Sequence, residues 1–353
     1  HPTYDNYWKD LNPIEENYEK ISVPVLGISA WYDIFLQGTL NNYIGVKSKG
    51  ISPGKDNQKL LIGPWMHFFN GQEQIIGDID FGEKVKIDIF KEMLNWFDFW
   101  LKGKNSDFKN EDPVKMFLMG KNEWQSYSDW PIPDTKYKNF YIHSKGNANS
   151  SSGDGILNEL IPNDNENFDT YKYDPANPVP TIGGTGPAGG PVVSPVSAGP
   201  KNQFEVEKRK DILVYTTPPL KNNIQITGPV KMILFASSNC IDTDFTCKLV
   251  DVYPNGFCLN IAQGIIRARY RNSWENPEFL NPNEIYKYDI DMWSTSNFFH
   301  KDHKIRIEIS SSNFPQFDRN PNTGNQFGMD KDLKTATQKV YHDKNYPSHI
   351  ILP

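Results

Sequence analysis

Two short, continuously apolar segments near the start of the chain constrain its fold more than any other feature. They are residues 23–28 and 60–62, and neither alternates between apolar and polar side chains. Uninterrupted apolar runs of this kind are typical of parallel strands that are buried on both faces. Between them, residues 35–46 place their apolar side chains on one helical face, and Gly50 offers an end for the helix. The pattern predicts a strand–helix–strand crossover.

Each of the two predicted strands is followed by a side chain that can take part in proton transfer. Asp33 comes after the first strand and His67 after the second. Because neighbouring parallel strands end at the same edge of a sheet, we expect the carboxylate and the imidazole to lie close together. An aspartate followed by a histidine matches the chain order of the last two members of a hydrolase Ser–Asp–His triad. The alternatives are a helix N-cap for Asp33 and a structural histidine beside Trp65.

Composition excludes several classes of function. The 37 basic and 43 acidic residues give a net charge of -6 and form neither a basic stripe for nucleic acid nor a cationic block for a membrane surface. No apolar run approaches the roughly 20 residues of a membrane helix. Cys240, Cys247 and Cys258 lack a Cys-x-x-Cys motif and predict buried free thiols, which favours a cytoplasmic over a secreted location. Residues 242–244 and 318–320 lack the spacing of a calcium loop, so we expect no metal and no cofactor.

Three parts with different patterns follow one another along the chain. Residues 1–143 mix short apolar strands with helices, including a helix over about residues 82–102 whose apolar stripe is predicted to pack on a sheet face. Residues 144–210 are rich in Gly, Pro, Ser, Asn and Asp, which predicts a loop-rich connector. Residues 211–353 favour strands. The predicted fold class is therefore α/β followed by all-β.

The all-β pattern of the last part is clear in particular segments. Residues 304–310 alternate strictly between apolar and polar side chains, and residues 286–292 nearly so. Asn255-Gly256, between two strand-like runs, is a strong hairpin signal. Half a dozen or more short strands in about 140 residues predict a jelly-roll β-sandwich.

Motifs along the whole chain resemble the cocaine esterase/X-prolyl dipeptidyl peptidase group of α/β-hydrolases. They are His1-Pro2-x-Tyr4-Asp5-x-x-Trp8, Trp31-Tyr32-Asp33, Gly63-Pro64-Trp65-x-His67, Tyr173-Asp174-Pro175-Ala176-Asn177-Pro178, Asp242-Thr243-Asp244-Phe245-Thr246 and Ser310-Ser311-Ser312-Asn313-Phe314-Pro315-x-Phe317-Asp318-Arg319-Asn320. The resemblance implies that the chain is the C-terminal part of an α/β-hydrolase sheet followed by the β-sandwich. It also implies that Asp33 and His67 are the triad acid and base.

The nucleophile of such a triad is not found in the sequence. A hydrolase serine stands on a Gly-x-Ser-x-Gly elbow, and the nearest imitation is the segment 195–199, in which Pro195 replaces the first glycine and Ser197 follows no strand. We expect the serine in an upstream segment or on a companion chain. The predicted function is a serine-dependent hydrolase of small acyl esters or amides, and self-association is left open. The alternative is a non-catalytic fragment or degenerate homologue that acts as a binding or structural sandwich.

The resemblance also suggests which residues line the substrate pocket. The acidic residues that face the substrate ammonium in the α-amino-acid ester hydrolases are replaced here by Phe35 and Leu36. Phe35 matches the aromatic residue of the acyl pocket in the cocaine esterase branch, and a sandwich loop with Phe298 is expected to reach the same pocket. Trp31 and Trp65 are assigned to it as well. Because an ammonium needs carboxylates, we expect a preference for short-chain or aromatic acyl esters over α-amino-acid esters.

Overall fold

The computed structural model describes residues 1–11, 14–67, 71–104, 110–163, 166–186, 198–326 and 328–353. Within these ranges the chain forms three α-helices, which are α1 (Asn6–Leu11), α2 (Leu36–Lys49) and α3 (Ile89–Lys102). The strands are β1 (Val25–Tyr32), β2 (Gln58–Met66), β3 (Ile75–Ile76), β4 (Ile79–Asp80), β5 (Val114–Leu118), β6 (Glu123–Tyr127), β7 (Lys138–His143), β8 (Ile156–Asn158), β9 (Asp169–Tyr173), β10 (Leu213–Thr216), β11 (Ile224–Ser238), β12 (Asp244–Val252), β13 (Cys258–Arg267), β14 (Tyr286–Phe299), β15 (Lys304–Ser310), β16 (Ala336–Tyr341) and β17 (His349–Leu352). None of the helices in the described ranges is long and apolar enough to cross a membrane.

A four-stranded sheet in the order β1-β2-β5-β6 carries the first part of the chain. Strands β1 and β2 are parallel and are connected through α2, which confirms the predicted strand–helix–strand crossover. Three residues of the predicted helix face are buried, namely Leu36, Leu40 and Tyr43, whereas Ile44 is exposed. The helix therefore buries most of the face that its sequence predicts. The helix ends at Gly50, whose N–H donates to the carbonyl of Val46.

Helix α3 lies differently from its prediction. It begins at Ile89, after Asp88 accepts a hydrogen bond from the Lys91 N–H, and it ends at Gly103, which takes the left-handed conformation at φ 64°. Its apolar stripe is solvent-exposed rather than packed on a sheet face; the exposed residues are Phe90, Met93, Leu94, Phe97 and Leu101. The prediction was wrong because helical periodicity identifies an apolar face but not its partner, and nothing in the described part of the chain covers this face.

Eleven strands form a second, larger sheet. Their order is β13-β12-β15-β10-β8-β7-β17-β11-β16-β9, and β14 pairs with β11. The all-β prediction for the last part of the chain is confirmed, and β15 has the predicted bounds. The predicted hairpin at Asn255-Gly256 connects β12 to β13, and Gly256 supplies the positive φ of 87° that this turn requires. The jelly-roll topology stays a prediction.

Strands from all three predicted parts enter the larger sheet. Strand β7, from the part predicted as hydrolase, pairs with the C-terminal strand β17, and β8 and β9 come from the predicted connector. Local composition does not show these pairings, because the partners are far apart in the sequence. The predicted boundaries at residues 143 and 210 therefore stay predictions.

The small sheet contacts the larger one at the ends of its strands. After β5, the Met119 N–H donates to the carbonyl of Ser296 at 3.0 Å, and the Phe298 N–H donates back to Met119 at 2.9 Å. At the end of β1, the Tyr32 hydroxyl donates to the carbonyl of Asn260 on β13 at 2.9 Å. The edge at which Asp33 and His67 were expected therefore faces the larger sheet.

The three cysteines are buried as free thiols, as predicted. Burial raises the pKa of each thiol, that of Cys258 to about 12. All three side chains therefore stay protonated at neutral pH and act as small apolar groups.

Candidate active site

Asp33 directly follows β1 and is almost fully buried, with 4% of its surface exposed. Its Oδ1 accepts a hydrogen bond from the Phe35 N–H at 3.0 Å, and its Oδ2 accepts one from the Ser29 hydroxyl at 3.2 Å. These donors fix the orientation of the carboxylate. The N-cap of α2 is Phe35 rather than Asp33, so the N-cap alternative is not what the structure shows.

His67 directly follows β2 and meets Asp33 across the parallel pair. Its Nδ1 lies 2.9 Å from Oδ1 of Asp33, and about a quarter of the imidazole side chain is exposed. The pairing of Tyr32 with Met66 at the ends of the two strands makes the next residues neighbours. Because Nδ1 faces a carboxylate, a neutral ring carries its proton on Nδ1 and its basic lone pair on Nε2. This is the tautomer that a general base in a triad needs.

Phe35 lies beside the imidazole of His67. Its ring stands edge-on to that of His67, with centroids 5.1 Å apart and an angle of 70°. It is 58% exposed. Leu36, the first residue of α2, is in contrast buried. Of the two apolar positions singled out from the sequence, only Phe35 therefore presents an exposed side chain beside His67.

The structure does not bring the other predicted pocket residues to the surface of the site. Trp31 is 3% exposed, and its indole N–H donates to the carbonyl of Phe117 at 2.8 Å. Trp65 is 1% exposed and packs against Trp124. Both indoles belong to the hydrophobic core and present little surface to a ligand. Their assignment to a pocket stays a prediction.

Phe298 lies at the contact between the two sheets. Its ring stands edge-on to that of His300 at 5.1 Å, and the Lys121 ammonium lies 6.0 Å from the ring centroid. These neighbours differ from those of Asp33 and His67. Its role in a pocket also stays a prediction.

Two features of the site were missed by sequence reasoning. The first is the hydrogen bond from the Ser29 hydroxyl to the Asp33 carboxylate. The sequence could have indicated it, because a hydroxyl in a buried strand needs a hydrogen-bond partner. The second feature is the close approach of Gly199 to Met66, the residue before His67. Its signal was the glycine-rich composition of the predicted connector. Residues 187–197, with Ser197, lie outside the described residues.

The described residues offer no metal centre beside this pair. Among them, no group of three or more His, Cys, Asp or Glu side chains is arranged to hold an ion. The chemistry that the pair can perform is proton transfer, in which the carboxylate stabilises the imidazolium that forms when Nε2 takes up a proton.

Two parts of the chain match known protein families. Residues 1–69 match the X-Pro dipeptidyl-peptidase family S15, and residues 106–351 match the X-Pro dipeptidyl-peptidase C-terminal non-catalytic domain. Over 359 residues, the chain is 37% identical to cocaine esterase from Rhodococcus sp. (strain MB1 Bresler), covering 100% of this chain and 60% of that protein. The chain therefore spans only part of the length of this relative.

Two solved structures are similar over the whole of this chain. An aminopeptidase from a marine sediment Thaumarchaeota archaeon has a TM-score of 0.87 and 27% identity, with 58% of that chain covered. An α-amino-acid ester hydrolase has a TM-score of 0.83 and 26% identity, with 59% covered. The matched families and these relatives agree with the motifs and with the fold. The chain belongs to the cocaine esterase/X-prolyl dipeptidyl-peptidase family of α/β-hydrolases.

Proposed function

We propose that this chain supplies the acid and the base of a serine-dependent acyl hydrolase. The observation that carries the proposal is the 2.9 Å contact between Nδ1 of His67 and Oδ1 of Asp33 at the ends of adjacent parallel strands. The serine comes from an upstream segment of the same protein or from a companion chain. The family and the hydrolases among its relatives support this assignment.

The reaction uses the pair twice. As the serine oxygen attacks the acyl carbon, Nε2 of His67 takes up the hydroxyl proton and Asp33 stabilises the imidazolium. The imidazolium then gives this proton to the leaving alcohol or amine, and an acyl-enzyme remains. A water molecule, deprotonated by the same nitrogen, then attacks the acyl carbon. The imidazolium returns this proton to the serine oxygen as the bond between serine and acyl group breaks, which releases the acid and restores the serine hydroxyl.

An edge of the small sheet and a face of α3 support a serine-bearing segment outside this chain. Among the strands that the structure describes, β1 pairs with β2 alone, which leaves its other edge available for pairing. The exposed stripe of α3 includes Leu101 and Phe90, which are 77% and 71% exposed. Apolar surface of this extent on one helix face is typical of an interaction site. We propose that the upstream segment extends the sheet beyond β1 and covers α3.

The preferred substrates are short-chain or aromatic acyl esters. Phe35 presents an apolar ring beside the base, and a protonated α-amine would find no carboxylate at that position. Amides with the same acyl groups remain within the proposal because the relatives include peptidases as well as esterases.

A second candidate is a non-catalytic role for the larger sheet, as a jelly-roll module for binding or support. One observation favours it: the match to residues 106–351 is to a domain described as non-catalytic. This module would not need the Asp33–His67 contact, so loss of that contact separates the two candidates.

The test is ester hydrolysis by the full-length protein and its His67→Ala variant. We expect kcat to fall by several orders of magnitude, as it does when a triad loses its base. His349→Ala, which removes another partly exposed imidazole, is the matched control and should leave kcat unchanged. Activity of His67→Ala within tenfold of the wild type would refute the assignment and leave the non-catalytic candidate.

A further inference from the structure

A loop base of three residues lies against the strands that carry the proposed acid and base. We define it as Gly184, Thr185 and Gly199. The N–H of Gly184 donates to the carbonyl of Gly199 at 2.9 Å, and the N–H of Gly199 donates back at 2.8 Å. These two bonds form a reciprocal backbone bridge between Gly184 and Gly199.

Close packing ties the loop base to both strands. Gly199, at φ 91°, is so close to Met66 at the end of β2 that an added Cβ would lie 3.0 Å from the sulfur. Gly184 and Thr185 face Tyr32 at the end of β1 across a crevice of about 20 Å³. A space of this size holds roughly one water molecule. The crevice is therefore a packing contact and not a ligand pocket.

A chain of amide side chains holds the loop base from the other side. Nε2 of Gln316 donates to the Thr185 hydroxyl at 2.6 Å. Oε1 of Gln316 accepts from Gln263 at 2.6 Å and from Asn313 at 3.3 Å. Because Oε1 faces two amide donors, the Gln316 amide has one orientation in which all its bonds are made. Its backbone N–H also donates to the Thr181 hydroxyl at 3.1 Å.

We propose that Gln316 is a positioning residue of the site. It acts through Thr185, which it holds in place so that the loop base keeps its contacts with the ends of β1 and β2. Loss of this bond would let the loop base move away from the strand ends that precede Asp33 and His67, and would change the surface that a substrate meets there. The Asp33–His67 pair has its own hydrogen bonds and would stay as it is. The inference rests on the proposed hydrolase function.

The substitution Thr185→Val removes the hydroxyl and keeps the branched shape, whereas Thr185→Ser keeps the hydroxyl. In the full-length protein, with an aryl acyl ester as substrate, we expect Thr185→Val to raise KM by about fivefold, the equivalent of one ordinary hydrogen bond. We expect kcat to stay within about twofold. Thr185→Ser, which keeps the hydroxyl, should have the KM of the wild type. Thr243→Val is the matched control, because it breaks a Gln338–Thr243 bond of the same type and the same 2.6 Å length inside the larger sheet.

Hydrogen exchange gives a second readout that does not depend on activity. The amide hydrogens of Gly184 and Gly199 should exchange faster in Thr185→Val than in the wild type or in Thr243→Val. An unchanged KM in Thr185→Val, with or without faster exchange, would overturn the inference, as would an equal rise of KM in Thr243→Val. A wild-type protein that hydrolyses no ester would instead refute the proposed function itself.

Discussion

Glu308 is a carboxyl group enclosed in the larger sheet, and the substitution Glu308→Gln should change how stability depends on pH. The residue is 3% exposed, and its Oε2 lies 3.6 Å from Nζ of Lys248. Burial raises the pKa of Glu308 to about 8, and the neighbouring carboxylate of Glu207 adds to the rise. The attraction of Lys248 and Arg306 opposes this rise but does not cancel it.

The sign and the size of the effect follow from this pKa. An ordinary glutamate pKa is 4.5, so between pH 4.5 and about 8 the native state holds a proton at Glu308 that the unfolded state has lost. The free energy of unfolding therefore falls as pH rises through this window, by about 1.4 kcal/mol per pH unit. Over the whole window the loss is about 5 kcal/mol. Glutamine has no carboxyl group to ionise, so the variant does not suffer this loss.

Urea unfolding followed by circular dichroism at several values between pH 5 and pH 8.5 measures the effect. We expect Glu308→Gln to become progressively more stable than the wild type as pH rises, with the difference levelling off above about pH 8. Glu205→Gln changes an exposed carboxylate and should show a constant difference. Parallel curves for Glu308→Gln and the wild type would refute the reasoning and would mean that Lys248 keeps Glu308 ionised.

Three further predictions address stability, specificity and assembly. His342→Gln should lower the free energy of unfolding by about 3 kcal/mol in calorimetry, because the buried imidazole lies 3.0 Å from the buried carboxylate of Asp169; a change below about 0.5 kcal/mol would contradict this. Phe35→Glu should shift the ratio of kcat/KM towards α-amino-acid esters by about tenfold relative to aryl esters, and an unchanged ratio would remove Phe35 from the substrate contact. When this chain and the serine-bearing segment are produced as separate polypeptides, Leu94→Asp on the exposed stripe of α3 should reduce their copurification, whereas Lys91→Glu should not. Equal yields of both variants would place the segment elsewhere.

The crossover could be predicted from the sequence because its signal is local. The apolar runs at residues 23–28 and 60–62 have no polar face. Because a strand without a polar face must be buried on both sides, they predict parallel strands in the interior of a sheet. Asp33 and His67 then follow from strand ends alone, and their hydrogen bond is present. Strand β15 could be predicted equally well, because apolar and polar side chains alternate along its whole length.

Other features depend on contacts that no local pattern encodes. The sequence predicts alternation in β14 only as far as residue 292. At the next residue, Trp293, the structure has a φ of 62°, and the pairing with β11 shifts register there. Beyond this bulge the strand continues to Phe299. The loop base was not predicted either. Its two glycines, Gly184 and Gly199, are bridged in the structure, but the sequence between them shows only a glycine-rich composition, which does not indicate that its ends pair.

The origin of Asp33 and His67 from one crossover has a consequence for how such an enzyme can be assembled. The two residues are 34 positions apart, and the hydrogen bonds that orient the carboxylate come from Ser29 and Phe35 within the same unit. Acid and base therefore form together as soon as two strands and one helix fold, a process of low contact order. If the nucleophile comes from a separate polypeptide, as one form of the proposed function has it, this pair does not need to form again. The proposed function therefore predicts that a hydrolase of this family, divided upstream of β1, regains activity when the fragment with the nucleophile is mixed with the fragment that contains Asp33 and His67.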